Sequence, residues 1–187
     1  MRPKPVYVET VIRTDLDTLW QHTQDPALHR RWDLRFTEIS PIGGRDGHFR
    51  YASRFLGVTV AGVGFSAASR TWPDGSRTSV LRFASADPLS LISAGAGFWR
   101  YTPVGDGVRF VTGFDYGTRW GRFGQVADRA FRPAFGWMTA WSFDRLRLWL
   151  ETGTPPEDQP LTAPSAARCV RTRPRDRVPA RAAGVPA

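Results

Sequence analysis

Between Phe36 and Tyr116, short runs alternating apolar with polar residues are punctuated by three Asp-Gly pairs, Asp46-Gly47, Asp74-Gly75 and Asp106-Gly107. Asp-Gly between such runs marks a β-hairpin, because the tight turns that suit strand twist need positive φ at their centre. Three hairpins predict an antiparallel meander of about six strands. An earlier run, Val6 to Arg13 (VYVETVIR), adds a strand in front of them. The chain has no asparagine, so aspartate and glycine carry the turn signal by themselves.

From Arg122 to Glu151 the period changes from two to that of a helix. Phe123, Ala127, Ala130, Phe131, Ala134, Met138 and Trp141 recur on one side, and Arg122, Gln125, Arg129, Arg132, Thr139, Arg147 and Glu151 take the other. This spacing predicts one long amphipathic helix, closed by Gly153 and Pro155 and kinked at Pro133, which cannot donate its backbone hydrogen bond. Ahead of the meander, Thr14 or Asp15 can cap a short helix through Leu19 and Trp20, and Pro26 can open a second that ends near Trp32. The order of strand, two short helices, meander and long helix is that of an α+β helix-grip fold, with a curved antiparallel sheet of six or seven strands wrapped around the last helix.

Alternation also assigns faces. Phe49, Tyr51, Ser53 and Phe55 oppose His48, Arg50 and Arg54; Leu81 and Phe83 oppose Arg82; Trp99 and Tyr101 oppose Arg100; Phe110, Thr112, Phe114 and Tyr116 oppose Arg109 and Asp115. An unpaired buried charge is costly, so the aromatic set is expected to face the helix and the arginines to face outward. A filled core would explain the aromatics alone. Small residues in Val58 to Arg70 (VTVAGVGFSAASR) and Ser93 to Gly97 (SAGAG), where such an interface wants bulk, point instead to space between sheet and helix. An apolar pocket carrying a few hydroxyls suits a hydrophobic small molecule. The candidate ligand-binding residues are Tyr51, Trp99, Tyr101, Thr112, Phe114, Tyr116, Phe131, Phe135 and Met138.

Composition bounds the rest. At 187 residues with 41% hydrophobic content, the chain can bury a core without metal or disulfide. Thr154 to Ala187 holds seven prolines, seven alanines and no aromatic residue, so the domain is expected to span residues 1–153 and the remainder to be a disordered tail. The lone Cys169 fits a reducing compartment, and no apolar stretch reads as a signal or membrane span, which predicts a soluble cytoplasmic protein. Of the formal charge of +9, six arginines against three acids leave +3 in the tail and +6 in the body. With no recognition motif and no basic helix stripe, nucleic acid is not an expected partner. His22, Asp25 and His29 offer metal-ligand atoms but no ligand motif, so the two histidines are expected at the surface, with no metal and no cofactor. GAGFWR (Gly95 to Arg100) lacks the third glycine and the following helix of a dinucleotide loop.

Three stretches resemble the SRPBCC superfamily, the START-like and Bet v 1-like proteins that include polyketide cyclases and lipid carriers. They are VIRTDLDTLWQHTQDPALHRRW (Val11 to Trp32), similar to the family's opening strand and paired helices; YTPVGDGVRF (Tyr101 to Phe110), similar to its penultimate hairpin; and the helix ending LRLWLETG. The resemblance implies an apolar cavity between sheet and helix and puts the histidines on a solvent-facing helical hairpin. Such motifs identify a fold better than a function.

Three functions follow. The first is binding of a lipid-like or polyketide-like molecule. The second is a cyclase, aromatase or dehydratase in which Tyr51, Tyr101 or Tyr116 donates to a carbonyl oxygen, with Asp115 the suspect base if the last strand is one residue out of register. The third is weak contact with an anionic membrane surface through the outward Arg50, Arg54, Arg82, Arg100 and Arg109.

Overall fold

The computed structural model describes residues 5–55, 57–160 and 168–169. Strand β1 (Val6–Ile12) leads into helices α1 (Leu16–Gln24) and α2 (Pro26–Trp32); strands β2 (Glu38–Pro41), β3 (His48–Phe55), β4 (Val58–Thr71), β5 (Arg77–Ala84), β6 (Ile92–Val104) and β7 (Gly107–Thr118) follow, then helix α3 (Gly121–Thr152). A two-residue strand β8 (Arg168–Cys169) completes an antiparallel sheet of order β2-β3-β4-β5-β6-β7-β1-β8. The six-strand meander and the helix-grip order are as expected; Asp46-Gly47 and Asp74-Gly75 lie between paired strands with both glycines at positive φ, whereas Gly107 already begins β7 and the positive φ of that turn is at Gly105. Aspartates begin both short helices: Asp15 accepts from the Thr18 amide at 2.8 Å and Asp25 from the Ala27 amide at 2.8 Å, with Pro26 in the first turn of α2.

The interior is divided along α3. Toward its C-terminal half the space is filled: Phe143 stacks on Phe110 at 4.4 Å and meets Trp32 edge-on at 6.2 Å, and Val8, Ile12, Leu19 and Leu146 are wholly buried around them. The N-terminal half stands off the sheet. Here the buried face of the helix differs from the apolar stripe: Phe123 is 71% exposed, whereas Gly124, Asp128 and Thr139 are buried. Polar groups can face the core because each is satisfied there, Asp128 by the Tyr116 hydroxyl at 2.7 Å and Arg132 at 2.8 Å, Thr139 by the Phe135 carbonyl at 2.7 Å. Pro133 lies inside one continuous helix.

The packed unit extends beyond the boundary expected at Gly153. Pro156 and Gln159 are buried, and the Gln159 amide donates to the carbonyls of Arg145 at 3.0 Å and Thr154 at 2.9 Å. Arg145 in turn donates to the Pro156 carbonyl, and Arg31 pairs with Glu157. The rest of the expected disordered tail, apart from the β8 pair, lies outside the described residues. Each hydrogen bond made by Gln159 and Arg145 contributes about 1 kcal/mol. A chain ending at Gly153 should therefore melt about 5–10 °C below one ending at Pro160. Coincident melting curves from differential scanning calorimetry would place the boundary back at Gly153.

Candidate functional site

A cavity of about 340 Å³ opens between the sheet and the N-terminal half of α3. Its sheet wall is Phe49, Tyr51 and Ser53 of β3, Leu81 and Phe83 of β5, Trp99 of β6, and Thr112 and Phe114 of β7; Phe131, Phe135 and Met138 of α3 form the opposite wall. Seven of the nine expected residues, Tyr51, Trp99, Thr112, Phe114, Phe131, Phe135 and Met138, are brought together here. The inward face extends beyond the cavity in both directions, which removes the other two. Tyr101 lies in the filled core, its hydroxyl shared with Thr23 Oγ1 at 2.7 Å and Gln24 Nε2 at 3.0 Å. Tyr116 donates to Asp128 and carries the Arg132 guanidinium 4.1 Å above its ring. Alternation assigns a side of the sheet but not a position along the strand. Asp115 does not line the cavity and pairs with Arg132 of α3 at 3.1 Å.

The small residues act as platforms. Tyr51 is paired in register with Gly62, Phe49 with Gly64, Phe83 with Gly95 and Phe114 with Gly97. A Cβ at Gly62 would fall 2.3 Å from the Tyr51 ring, one at Gly64 2.5 Å from Phe49, and one at Gly95 2.4 Å from Phe83. The missing Cβ lets each ring lie against the neighbouring strand and leaves open the volume it would otherwise cross.

One end of the cavity is polar, formed by residues that the sequence reading placed elsewhere or passed over. His29, expected at the surface, is 8% exposed, and with Arg35 and Phe36 it lines the cavity. Its ring stacks on Trp32 at 4.8 Å and meets Trp99 edge-on at 5.1 Å. Its Nε2 lies 2.9 Å from Asp33 Oδ2. The same carboxylate receives Arg35 Nε at 2.8 Å and Nη2 at 2.6 Å. Ser142 of α3 donates to it at 3.4 Å and accepts the Leu34 amide at 2.9 Å. Burial by itself would raise the Asp33 pKa, but the Arg35 charge and the hydrogen bonds from Arg35 and His29 more than offset this and hold it well below the usual carboxylate range. Burial pushes the Tyr51 phenol up to about 12, keeping it a neutral donor. The available signal was the i, i+4 spacing of His29 and Asp33 on either side of Trp32, followed by Arg35 (HRRWDLR).

His22, Asp25 and His29 do not converge. His22 Nδ1 bonds the Thr18 carbonyl, Asp25 caps α2 and His29 serves Asp33. Among the described residues no group of three His, Cys, Asp or Glu side chains is placed to hold a metal. No helix among them is long and apolar enough to cross a membrane.

No family model matches the chain. A curated relative, the uncharacterized membrane protein YndG of Bacillus subtilis (strain 168), is 44% identical over 163 residues; the match covers 84% of this chain and 61% of the relative, so the chain spans about three fifths of that protein's length. Among solved structures, the STAR-related lipid transfer protein of Xanthomonas axonopodis superposes with a TM-score of 0.58 at 16% identity, covering 76% of this chain and 82% of that one. A protein from Arthrobacter aurescens gives 0.59 at 11% identity, over 81% and 88%. The di-domain ARO/CYC BexL from the BE-7585A biosynthetic pathway gives 0.57 at 12% identity, over 79% of this chain and 47% of that one.

The Asp33 cluster has a measurable pH signature. Because its folded pKa lies below the unfolded value of about 3.9, Asp33 stabilises the fold above that value. The contribution declines as pH falls from about 5 toward the folded pKa. Asp33→Asn leaves Arg35 buried without its counter-charge and should cost about 3–5 kcal/mol at pH 7. The variant should also lose less stability than the parent between pH 6 and pH 3. Parallel urea-unfolding curves for the two proteins across that range would show that Asp33 does not carry the acid sensitivity.

Proposed function

We propose that this chain, which has the helix-grip fold of the SRPBCC superfamily, binds a hydrophobic lipid-like or polyketide-like molecule between its sheet and α3. The observation that carries this reading is the apolar cavity of about 340 Å³ whose aromatic walls are laid flat on glycines. The volume is within the range of small-molecule sites, about 300–1,000 Å³, and the lining of rings and aliphatic chains with few polar groups is what such sites use. Lipid transfer by one fold neighbour and the cyclase designation of another, as their names state, support the same class of ligand. Binding is favoured over cyclase, aromatase or dehydratase chemistry because, of the three alternative donors, Tyr101 and Tyr116 lie outside the cavity, and Asp115, the suspect base, does not line it. The pKa values of these two tyrosines are raised by burial, that of Tyr116 further by its bond to Asp128.

A second reading concerns the mouth. Two of the five outward sheet arginines expected to meet anionic lipid have acids of their own, Arg109 pairing with Glu9 at 3.1 Å and Arg100 with Asp74 at 3.9 Å. Leu89, by contrast, lines the cavity yet is 61% exposed, and Trp120, Phe123 and Val126 are exposed at the start of α3. Trp120, at φ 65°, donates its indole N–H to the Pro88 carbonyl at 3.0 Å and so ties the helix start to the loop carrying Leu89. Exposed Arg122 and Arg129 flank this patch, and the first turn of α3 has no acid. Aromatic residues flanked by arginine suit the boundary of an anionic bilayer, the surface from which an apolar ligand would enter.

The cavity is tested by native mass spectrometry of the purified protein, extraction of any apolar passenger, and titration with Nile red. Gly64→Ala, whose new Cβ meets the Phe49 ring first, should drive that ring into the cavity and weaken dye binding about tenfold with little change in melting temperature. A dye that never binds, or binds the variant equally, would mean a filled interior. For the mouth, flotation with phosphatidylglycerol vesicles should be lost in Trp120→Ala/Phe123→Ala and should weaken as salt rises past about 0.15 M. Equal flotation with neutral vesicles, or none, removes this reading.

A further inference from the structure

Arg35 is a cation only 8% exposed, set in a wall that is mostly apolar. Its guanidinium lies 5.5 to 5.7 Å from the ring centroids of Phe36, Phe114 and Phe135, all cavity-lining residues. Nε and Nη2 are committed to Asp33. Nη1 has no hydrogen-bond partner among the described residues, and it is not among the buried, unsatisfied atoms. With Arg35 lining the cavity, Nη1 is the nitrogen left to donate into it, held in orientation by the fork on Asp33.

Charge accounting narrows what this donor accepts. Asp33 is 1% exposed and remains ionised, so the pair it forms with Arg35 sums to zero. His29, the other titratable group at this end, already directs Nε2 to the same carboxylate. A carboxylate brought here would be stripped of water and set close to buried Asp33, with Arg35 already neutralised. A carbonyl oxygen needs only the donor.

We infer that the closed end of the cavity selects apolar molecules bearing an uncharged carbonyl oxygen, a ketone, ester or quinone, which accepts from Arg35 Nη1, and that it discriminates against carboxylates. The inference rests on the cavity being a ligand site. Of the lining groups, Arg54, Val58 and Leu89 are exposed while Arg35, His29 and Phe114 are buried, so the carbonyl end enters first.

The test compares three probes of one chain length, undecane, 2-undecanone and undecanoic acid, by displacement of Nile red from the full-length protein at pH 7.5. A hydrogen bond to a charged donor predicts that 2-undecanone displaces the dye at roughly 10- to 100-fold lower concentration than undecane, and undecanoic acid no better than undecane. Arg35→Met alone would strand Asp33, so the informative variant is Arg35→Met/Asp33→Asn, which removes both charges. In it the advantage of the ketone should vanish while undecane binds as before. Undecanoic acid matching or exceeding 2-undecanone, or a ketone preference that survives in the double variant, overturns the inference and leaves the cavity standing. Failure of Nile red and all three probes to bind overturns the cavity reading, and this inference with it.

Discussion

The carboxylate of Asp33 is the constraint around which the interior is arranged. It lies at the C-terminal end of α2 with almost no exposure, where an unpaired charge would cost a large part of the stability of most domains. Its neighbours are therefore prescribed. Arg35 must fold back onto it through two nitrogens, His29 must turn inward one helical turn earlier, and Ser142 must meet it from α3. These bonds join the helical hairpin to the long helix at one point, and they divide the interior there. Behind Asp33, Trp32, Phe110 and Phe143 form a filled core; in front of it, the same sheet and helix stand apart.

Keeping them apart has an energetic cost that the sheet limits in two ways. An enclosed void of this size would cost about 8 kcal/mol at the measured penalty of ~24 cal/mol per Å³. The opening past Arg54, Val58 and Leu89 admits water or a ligand, so the full penalty does not apply. The glycines opposite Phe49, Tyr51, Phe83 and Phe114 then give each ring a backbone surface to contact. The rings retain much of their packing while the space remains. Gly64 is the clearest instance, since the three atoms nearest its Cβ would all belong to the Phe49 ring.

The parts of this arrangement that were legible in the sequence are those governed by local chemistry. Asp-Gly turns, strand alternation, Asp15 and Asp25 as caps, and Gly153 as the end of α3 all act within a few residues of themselves. Tyr51, Trp99, Thr112 and Phe114 followed from strand alternation, and Phe131, Phe135 and Met138 from the apolar residues of the long helix, for the same reason. What escaped is polar residues buried by a partner that the apolar pattern does not reveal. Asp128 is buried because Tyr116 and Arg132 satisfy it, His29 because Asp33 does, and Gln159 because the carbonyl of Arg145 meets it across a turn. A polar residue on a helix reads as solvent-facing until its partner is known. Tyr101 and Tyr116 failed differently, since they share the correct face but lie beyond the two ends of the cavity.

The polar groups around the cavity form a gradient that gives it direction. At the mouth the exposed cation Arg54 stands with Val58 and Leu89, and the Trp120, Phe123 and Arg122 surface continues outward. At the closed end the charges of Arg35 and Asp33 cancel, leaving a donor without net charge. A charged group meets solvent and arginine at the mouth but a mostly apolar wall and a neutral pair inside, so moving it inward means losing hydration with little electrostatic return. An uncharged acceptor on an apolar skeleton meets the opposite balance, because its hydrocarbon gains throughout the cavity and its oxygen finds the guanidinium donor at the closed end. The orientation of a ligand is thus set by the pairing of Arg35 with Asp33: were Arg35 unpaired, its charge would draw anions to the same place, and the two ends of the cavity would cease to differ in kind.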